Sequence, residues 1–147
     1  MTRIAVTGRL LVAAQFALIA WLIWPLTPQR WSAPALALLG CAAGLGVWAL
    51  AHNRPGNFNI RPEPKASGRL VTSGPYQYMR NPMYSALLLF AAAEVVAYGD
   101  LWKVACWFAL ALVVLAKAML EERGLRAHFP GYAEYVKRVR RFIPGLF

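Results

Sequence analysis

The sequence predicts an all-α fold: an integral membrane four-helix domain with a cytoplasmic C-terminal amphipathic helix. Two observations carry this. Four long apolar runs fill most of the 147 residues, and none alternates in the manner of a strand. The chain is 59% hydrophobic and 15% charged, greasier and poorer in charge than an ordinary soluble domain. The same numbers exclude disorder, and the length allows one domain. Hydrocarbon requires each spanning segment to satisfy its own backbone, so apolar runs near the spanning length predict helices.

The first run covers residues 10–26. Arg3 and Arg9 precede it, which could suggest a secretion signal, but the run exceeds the usual apolar core of such a signal and is read as a retained span. The second covers 33–51 and contains Gly40 and Gly44, a small-residue pair that suits close helix approach, within the chain or between chains. Its Gly44-x-Gly46-x-x-Ala49 pattern formally fits a dinucleotide fingerprint but has no preceding strand, so it is read as helix packing. The third run covers 83–98 and is a little short. The fourth covers 101–120. A loop, 52–82, and a tail, 121–147, complete a single membrane domain.

Charge orders these spans. A formal net charge of +10 invites a nucleic-acid reading, but its distribution argues otherwise. With four spans, the N-terminus, the 52–82 loop and the C-terminal region share one side. Fourteen of the 16 Lys and Arg fall there, while Arg30 and Lys103 fall on the other. Positive residues favour the cytoplasmic side, which predicts cytoplasmic termini in a membrane such as the bacterial inner membrane. The basicity then marks topology and contact with anionic headgroups, and no nucleic acid is expected. The outer turns are too short to hold a site, so chemistry is expected on the basic side.

Some polar features have plain explanations. Cys41 and Cys106 are lone thiols inside spans, and His52 and His128 are far apart, so no metal site is expected. Glu94 is the one acid inside a span. It is read as a structural hydrogen bond, or as a partner of Lys103 or Arg30 near the outer surface.

The chemistry-bearing residues cluster around the third span and the fourth span's exit. The loop is rich in Pro, Asn and Gly up to Lys65, then runs through Gly74-Pro-Tyr76-Gln-Tyr78-Met-Arg80-Asn81-Pro82-Met-Tyr84. Pro82 suits a first helical turn, whose free N–H groups favour an anion. An interfacial aromatic and basic belt accounts for tyrosines near lipid but not for this density. Glu121 and Glu122 follow the fourth span on an otherwise basic face. Helical spacing pairs Lys117 with Glu121 and Glu122 with Arg126, leaving one acid to face a ligand. Pro130-Gly131 restarts the helix. Tyr132, Tyr135, Val136 and Val139 then form one apolar face, with Lys137, Arg138 and Arg141 largely away from it, suited to lying on the membrane or closing a pocket.

The run from Gly74 to Tyr84, the Glu121-Glu122-Arg-Gly-Leu125 segment, and Phe129-Pro-Gly-Tyr-Ala-Glu-Tyr135 running to Arg141-Phe-Ile-Pro144 resemble the isoprenylcysteine carboxyl methyltransferase family and the related membrane methyltransferases acting on phospholipids. The resemblance covers roughly the C-terminal two-thirds. It departs from the family's Arg-His-Pro-x-Tyr-x-Gly motif at Asn81, in the histidine place, and at Ala86, in the glycine place. The family histidine lies at the cofactor site. Asn keeps hydrogen bonding but cannot shuttle a proton.

The resemblance implies an S-adenosylmethionine-dependent methyltransferase acting on an amphiphilic substrate, a prenylcysteine-like carboxylate or a lipid. It implies a cofactor cradle of Tyr76, Tyr78, Asn81, Pro82 and Tyr84, with Glu121 and Glu122 opposite. Tyrosine faces attract a sulfonium, and a carboxylate can hold ribose hydroxyls or an amine. Arg80 could grip a carboxylate of cofactor or substrate, and Glu122 would be the first base for an amine acceptor; these two are the expected catalytic residues. Two other readings stay open. One is a nicotinamide-dependent membrane reductase of the sterol reductase type, which carries a similar C-terminal pattern in a longer chain. The other is a non-catalytic membrane subunit.

Overall fold

The computed structural model describes residues 3–24, 31–53 and 69–147. Five α-helices follow in order: α1 (Arg3–Ile23), α2 (Ala33–His52), α3 (Pro82–Tyr98), α4 (Leu101–His128) and α5 (Tyr132–Arg138), with a 3₁₀ turn, Gly74–Gln77, before α3. Among the described residues there is no strand, only an isolated parallel bridge between Met79 and Arg140. The all-α membrane domain expected from the apolar runs is the fold observed. Arg30, Arg54, Arg61, Lys65 and the turn-rich part of the loop lie outside the described residues.

Helices α1, α2 and α4 are long and apolar enough to cross a membrane. Helix α3 is apolar but has 17 residues, in keeping with the short third run. Helix α1 starts earlier than its apolar run, at Arg3, and ends before Pro25, which cannot extend it. Ser32 caps α2 by accepting from Ala35 N–H at 3.5 Å, with Pro in the first turn. A tight turn joins α3 to α4. Gly99 closes α3 with φ 67°, a left-handed conformation that suits glycine, and the Asp100 carboxylate caps α4 through Trp102 N–H at 2.9 Å.

The helices pack in the order α2, α3, α4, α1. Helix α1 runs antiparallel to α4: Gln15 meets Lys117 at one end, and the Leu22 and Trp24 carbonyls meet Lys103 at the other. The start of α1, the end of α2, the start of α3 and the end of α4 therefore share one end of the bundle. The apolar core is centred on Leu22, Ala91, Leu110, Val114 and Ala118, with Phe142 folded back from the C-terminus. Small residues let α2 approach α3, where a Cβ on Gly46 would lie 3.8 Å from that of Ala86. A Cβ on Gly40 or Gly44 would meet nothing within 4 Å outside its own helix backbone, so this pair does not join helices within the described chain.

Helix α5 has the apolar face its spacing predicts. Tyr132, Tyr135 and Val139 are buried against Leu70, Leu125, Phe129 and Val136, while Lys137 and Arg138 stay exposed. The chain itself occupies this face, so α5 closes the end of the bundle rather than offering that face to lipid.

Candidate active site

The site forms where the C-terminal segment returns to the start of α3. Arg80 N–H donates to the Arg140 carbonyl at 2.8 Å, and Asn81 N–H to that of Arg141 at 3.0 Å. Ser85 Oγ donates to the Phe142 carbonyl at 2.8 Å. These bonds clamp residues 140–142 along the first turn of α3. The Arg80 guanidinium also donates to the carbonyls of Val136 and Val139, and the Tyr135 hydroxyl to that of Tyr76. Helix α5 is thereby tied to both the 3₁₀ turn and α3.

Glu122 lies at the centre. Its carboxylate accepts from Arg80 Nε and Nη2 at 3.1 and 3.2 Å, from Arg141 Nε and Nη2, both at 3.0 Å, and from Asn81 Nδ2 at 3.2 Å. Two guanidinium forks hold one carboxylate whose side chain is 5% exposed. The apolar part of α4 ends at Leu120, so residues 121–128 stand beyond the span. Burial alone would raise the Glu122 pKa; the hydrogen bonds from Arg141 and Arg80 outweigh it and hold the carboxyl below its ordinary range. The expected pairing of Glu122 with Arg126 is replaced by this pair of forks, from residues far away in sequence or in the tail.

Glu121 is placed differently. Its Oε1 accepts from the Tyr84 hydroxyl at 2.6 Å. Among the described residues no ion pair within 4.0 Å joins it to Lys117, the partner expected from helical spacing. Burial raises its pKa, partly countered by the Tyr84 bond and the Lys117 charge. Adjacent acids thus have opposite characters: one saturated and held ionised, the other short of partners and easier to protonate.

The structure brings Arg80, Asn81, Tyr84, Glu121 and Glu122 together, with Pro82 buried in the first turn of α3. Tyr76 is buried beside them; its hydroxyl accepts from Asn53 Nδ2 at 3.3 Å. Burial raises its pKa, the Asn53 bond partly counters this, and the Glu121 charge raises it further. Tyr78 stands apart, half exposed, with its ring 6.1 Å from that of Trp48 on α2. Asn81, in the histidine place of the family motif, makes one side-chain bond, to Glu122.

Sequence reasoning missed Asn53, Ser85 and the pairing role of Arg141. For Arg141 a signal existed: it opens the last stretch of the resemblance. It also missed Gln15, a lone amide in the first apolar run. Glu94 is buried, with Oε2 unpartnered, and makes no ion pair with Lys103, whose ammonium is taken by the Leu22 and Trp24 carbonyls. Arg30, the other expected partner, lies outside the described residues. No cluster of three or more metal-ligating side chains occurs among the described residues.

A helical membrane domain with acid, arginine and tyrosine side chains clamped together at one end fits the class of membrane methyltransferases, and its likeness to known proteins supports that class. A family model for phospholipid methyltransferases matches residues 33–131, from the start of α2 to the turn before α5. The chain belongs to this family, which is part of the isoprenylcysteine carboxyl methyltransferase-like group. It is also similar to the cobalt-zinc-cadmium resistance protein CzcN of Cupriavidus metallidurans, 36% identical over 84 residues. That match covers 56% of this chain and 38% of CzcN, so the chain spans well under half of that relative.

Proposed function

We propose that this membrane methyltransferase uses S-adenosylmethionine and transfers its methyl group to an amphiphilic acceptor at the basic end of the bundle, on the cytoplasmic side. The observation that carries the proposal is the division of labour between the adjacent acids. Glu122 is engaged by five N–H donors and serves as the anchor of the site. Glu121 keeps one bond, from Tyr84, and so has acceptor capacity for a ribose hydroxyl or an amine.

The donor set fits such a cofactor. A carboxylate with spare lone pairs is bonded to the Tyr84 hydroxyl, with the Tyr76 side chain buried at the same end of the bundle, a combination that suits a positively charged sulfur and its polar arms. When bound, S-adenosylmethionine supplies an electrophilic methyl group. The residues of the chain then bind and orient. Tyr84 fixes one oxygen of Glu121 and aims the other. The Arg80–Glu122–Arg141 clamp sets the spacing between α3, α4 and the C-terminal segment, and alignment is where most of the rate gain would arise. Arg80 and Glu122 therefore act as positioning residues. For an acceptor that must lose a proton, Glu121 is the better base, because the lone pairs of Glu122 are taken and its pKa is lowered. A carboxylate or thiolate acceptor needs no base.

Calorimetry on the purified full chain tests this reading. S-adenosylhomocysteine should bind and NADPH should not. Glu121→Gln should weaken S-adenosylhomocysteine about tenfold or more, the worth of a hydrogen bond to a charged group. NADPH binding without S-adenosylhomocysteine binding would assign the site to a reductase, and binding of neither would leave a non-catalytic subunit.

A further inference from the structure

Helix α1 precedes the segment matched by the family, yet one of its side chains is linked to the site. Gln15 is 9% exposed, on an otherwise apolar stretch of that helix. Its Oε1 accepts from Lys117 Nζ at 3.2 Å, and Lys117 is itself 6% exposed. The same ammonium lies 5.2 Å from the centre of the Tyr84 ring, and the Tyr84 hydroxyl donates to Glu121 Oε1 at 2.6 Å. Amide, ammonium, ring and carboxylate thus form a chain of contacts from α1 to the acid assigned to the ligand.

The bond to Gln15 is not the one that α4 itself offers. Lys117 and Glu121 stand four apart on one helix, a spacing that brings opposite charges together. In a buried setting such a pair attracts more strongly than in water. Yet no carboxylate among the described residues comes within 4.0 Å of Lys117. The ammonium is bonded to a neutral amide on another helix, and its charge still acts on Glu121, opposing the effect of burial. Satisfying a buried lysine requires only an acceptor, and Glu121 is one. An amide on α1 does something different: it holds the cation near the acid but off it. A Lys117 closed on Glu121 would occupy the lone pairs that the Tyr84 bond leaves free.

We propose that Gln15 is a positioning residue of the site: it restrains Lys117 so that the cation stays beside Glu121 without closing on it, and the carboxylate stays open to a ligand. The inference rests on the methyltransferase reading for the identity of that ligand. Among the described residues, the titratable groups that act on Glu121 are Tyr84 from α3, Tyr76 from the 3₁₀ turn, and Lys117 and Glu122 from α4. Arg80 and Arg141 are engaged by Glu122. Lys117 is the member of this set that is bonded to α1.

The test uses the full chain in lipid nanodiscs, without ligand, and follows the Glu121 carboxylate by infrared titration, its band assigned by its loss in Glu121→Gln. Lys117→Met removes the nearby cation and should raise the titration midpoint by about one pH unit or more. Gln15→Leu frees Lys117 to close on the acid and should lower the midpoint by a similar amount. Gln15→Glu keeps an acceptor at the same reach and should not lower it. Adding Gln15→Leu to Lys117→Met should leave the midpoint where Lys117→Met alone puts it. Should Gln15→Leu fail to fold, Gln15→Met makes the same comparison. A midpoint that Gln15→Leu or Gln15→Met leaves unchanged or raises, or that either lowers equally without Lys117, would overturn the proposal. S-adenosylhomocysteine binding is read on the same nanodiscs near neutral pH, where Gln15→Leu should weaken it about tenfold. The expected midpoints without binding by the unaltered chain uphold the restraint and reject the methyltransferase reading. Binding by the unaltered chain that Gln15→Leu leaves undiminished overturns the inference alone.

Discussion

Glu122 shows how one side chain can tie together the parts of a candidate site. Its two arginine partners come from the start of α3 and from the C-terminal segment, so the carboxylate joins three parts of the chain. Breaking a buried pair leaves a charge behind, at about 3–5 kcal/mol. Glu122→Gln should therefore lower the melting temperature sharply. Its pH signature has a definite sign. The folded-state pKa is lowered, so the stabilisation is present above the ordinary carboxylate range and is lost as pH falls through the folded value. Acid titration of the melting temperature should show this loss in the unaltered chain, and Glu122→Gln should have a smaller loss across the same window. Gly74 offers a second prediction. Its φ is +59°, and a Cβ there would come within 2.4 Å of the His52 ring. Gly74→Ala should destabilise through both strain and clash. Adding His52→Ala should recover the clash but not the strain, so thermal melts of the single and double variants should show partial rescue.

At the scale of elements, hydropathy made the helices readable. The apolar runs at 33–51, 83–98 and 101–120 coincide closely with α2, α3 and the spanning part of α4. The spacing of Tyr132, Tyr135 and Val139 gave the buried face of α5. Periodicity describes a helix and its face but not the partner of that face, which is why α5 could be read as lying on lipid when Leu125 and Phe129 cover it. The candidate site was legible as a set of residues but not as a set of bonds. Helical spacing proposes local pairs, Lys117 with Glu121 and Glu122 with Arg126. The observed bonds join Arg80, just before α3, to Glu122, and Tyr84 on α3 to Glu121, both across to α4. Such pairing depends on how α3 and α4 pack, which one sequence does not reveal. The clamp also makes a prediction for the tail. Removing residues 139–147 deletes Arg141 and Phe142 and exposes the first turn of α3. Limited proteolysis should then cut within residues 69–81, a segment that resists the protease in the full chain.

For the whole molecule, the distribution of charge carries the proposed orientation. Helices α1 to α4 alternate in direction, and the end that holds the site also holds the start of α1 and the C-terminal tail. Cysteine reporters at the two ends of the chain should react with an impermeant reagent only from the cytoplasmic face; labelling from opposite faces would remove the basis for the topology. A basic end of this kind suits an enzyme that meets amphiphiles in an anionic leaflet and a water-soluble cofactor at its edge. Methyl transfer itself is the central claim. Membranes containing the chain should be supplied with S-adenosylmethionine labelled in the methyl group and a panel of hydrophobic acids, amines and thiols. The account predicts label in an organic-extractable product, reduced at least about tenfold in Glu121→Gln. Absence of transfer to every acceptor class, in a preparation that is folded and shows no S-adenosylhomocysteine binding, would contradict it.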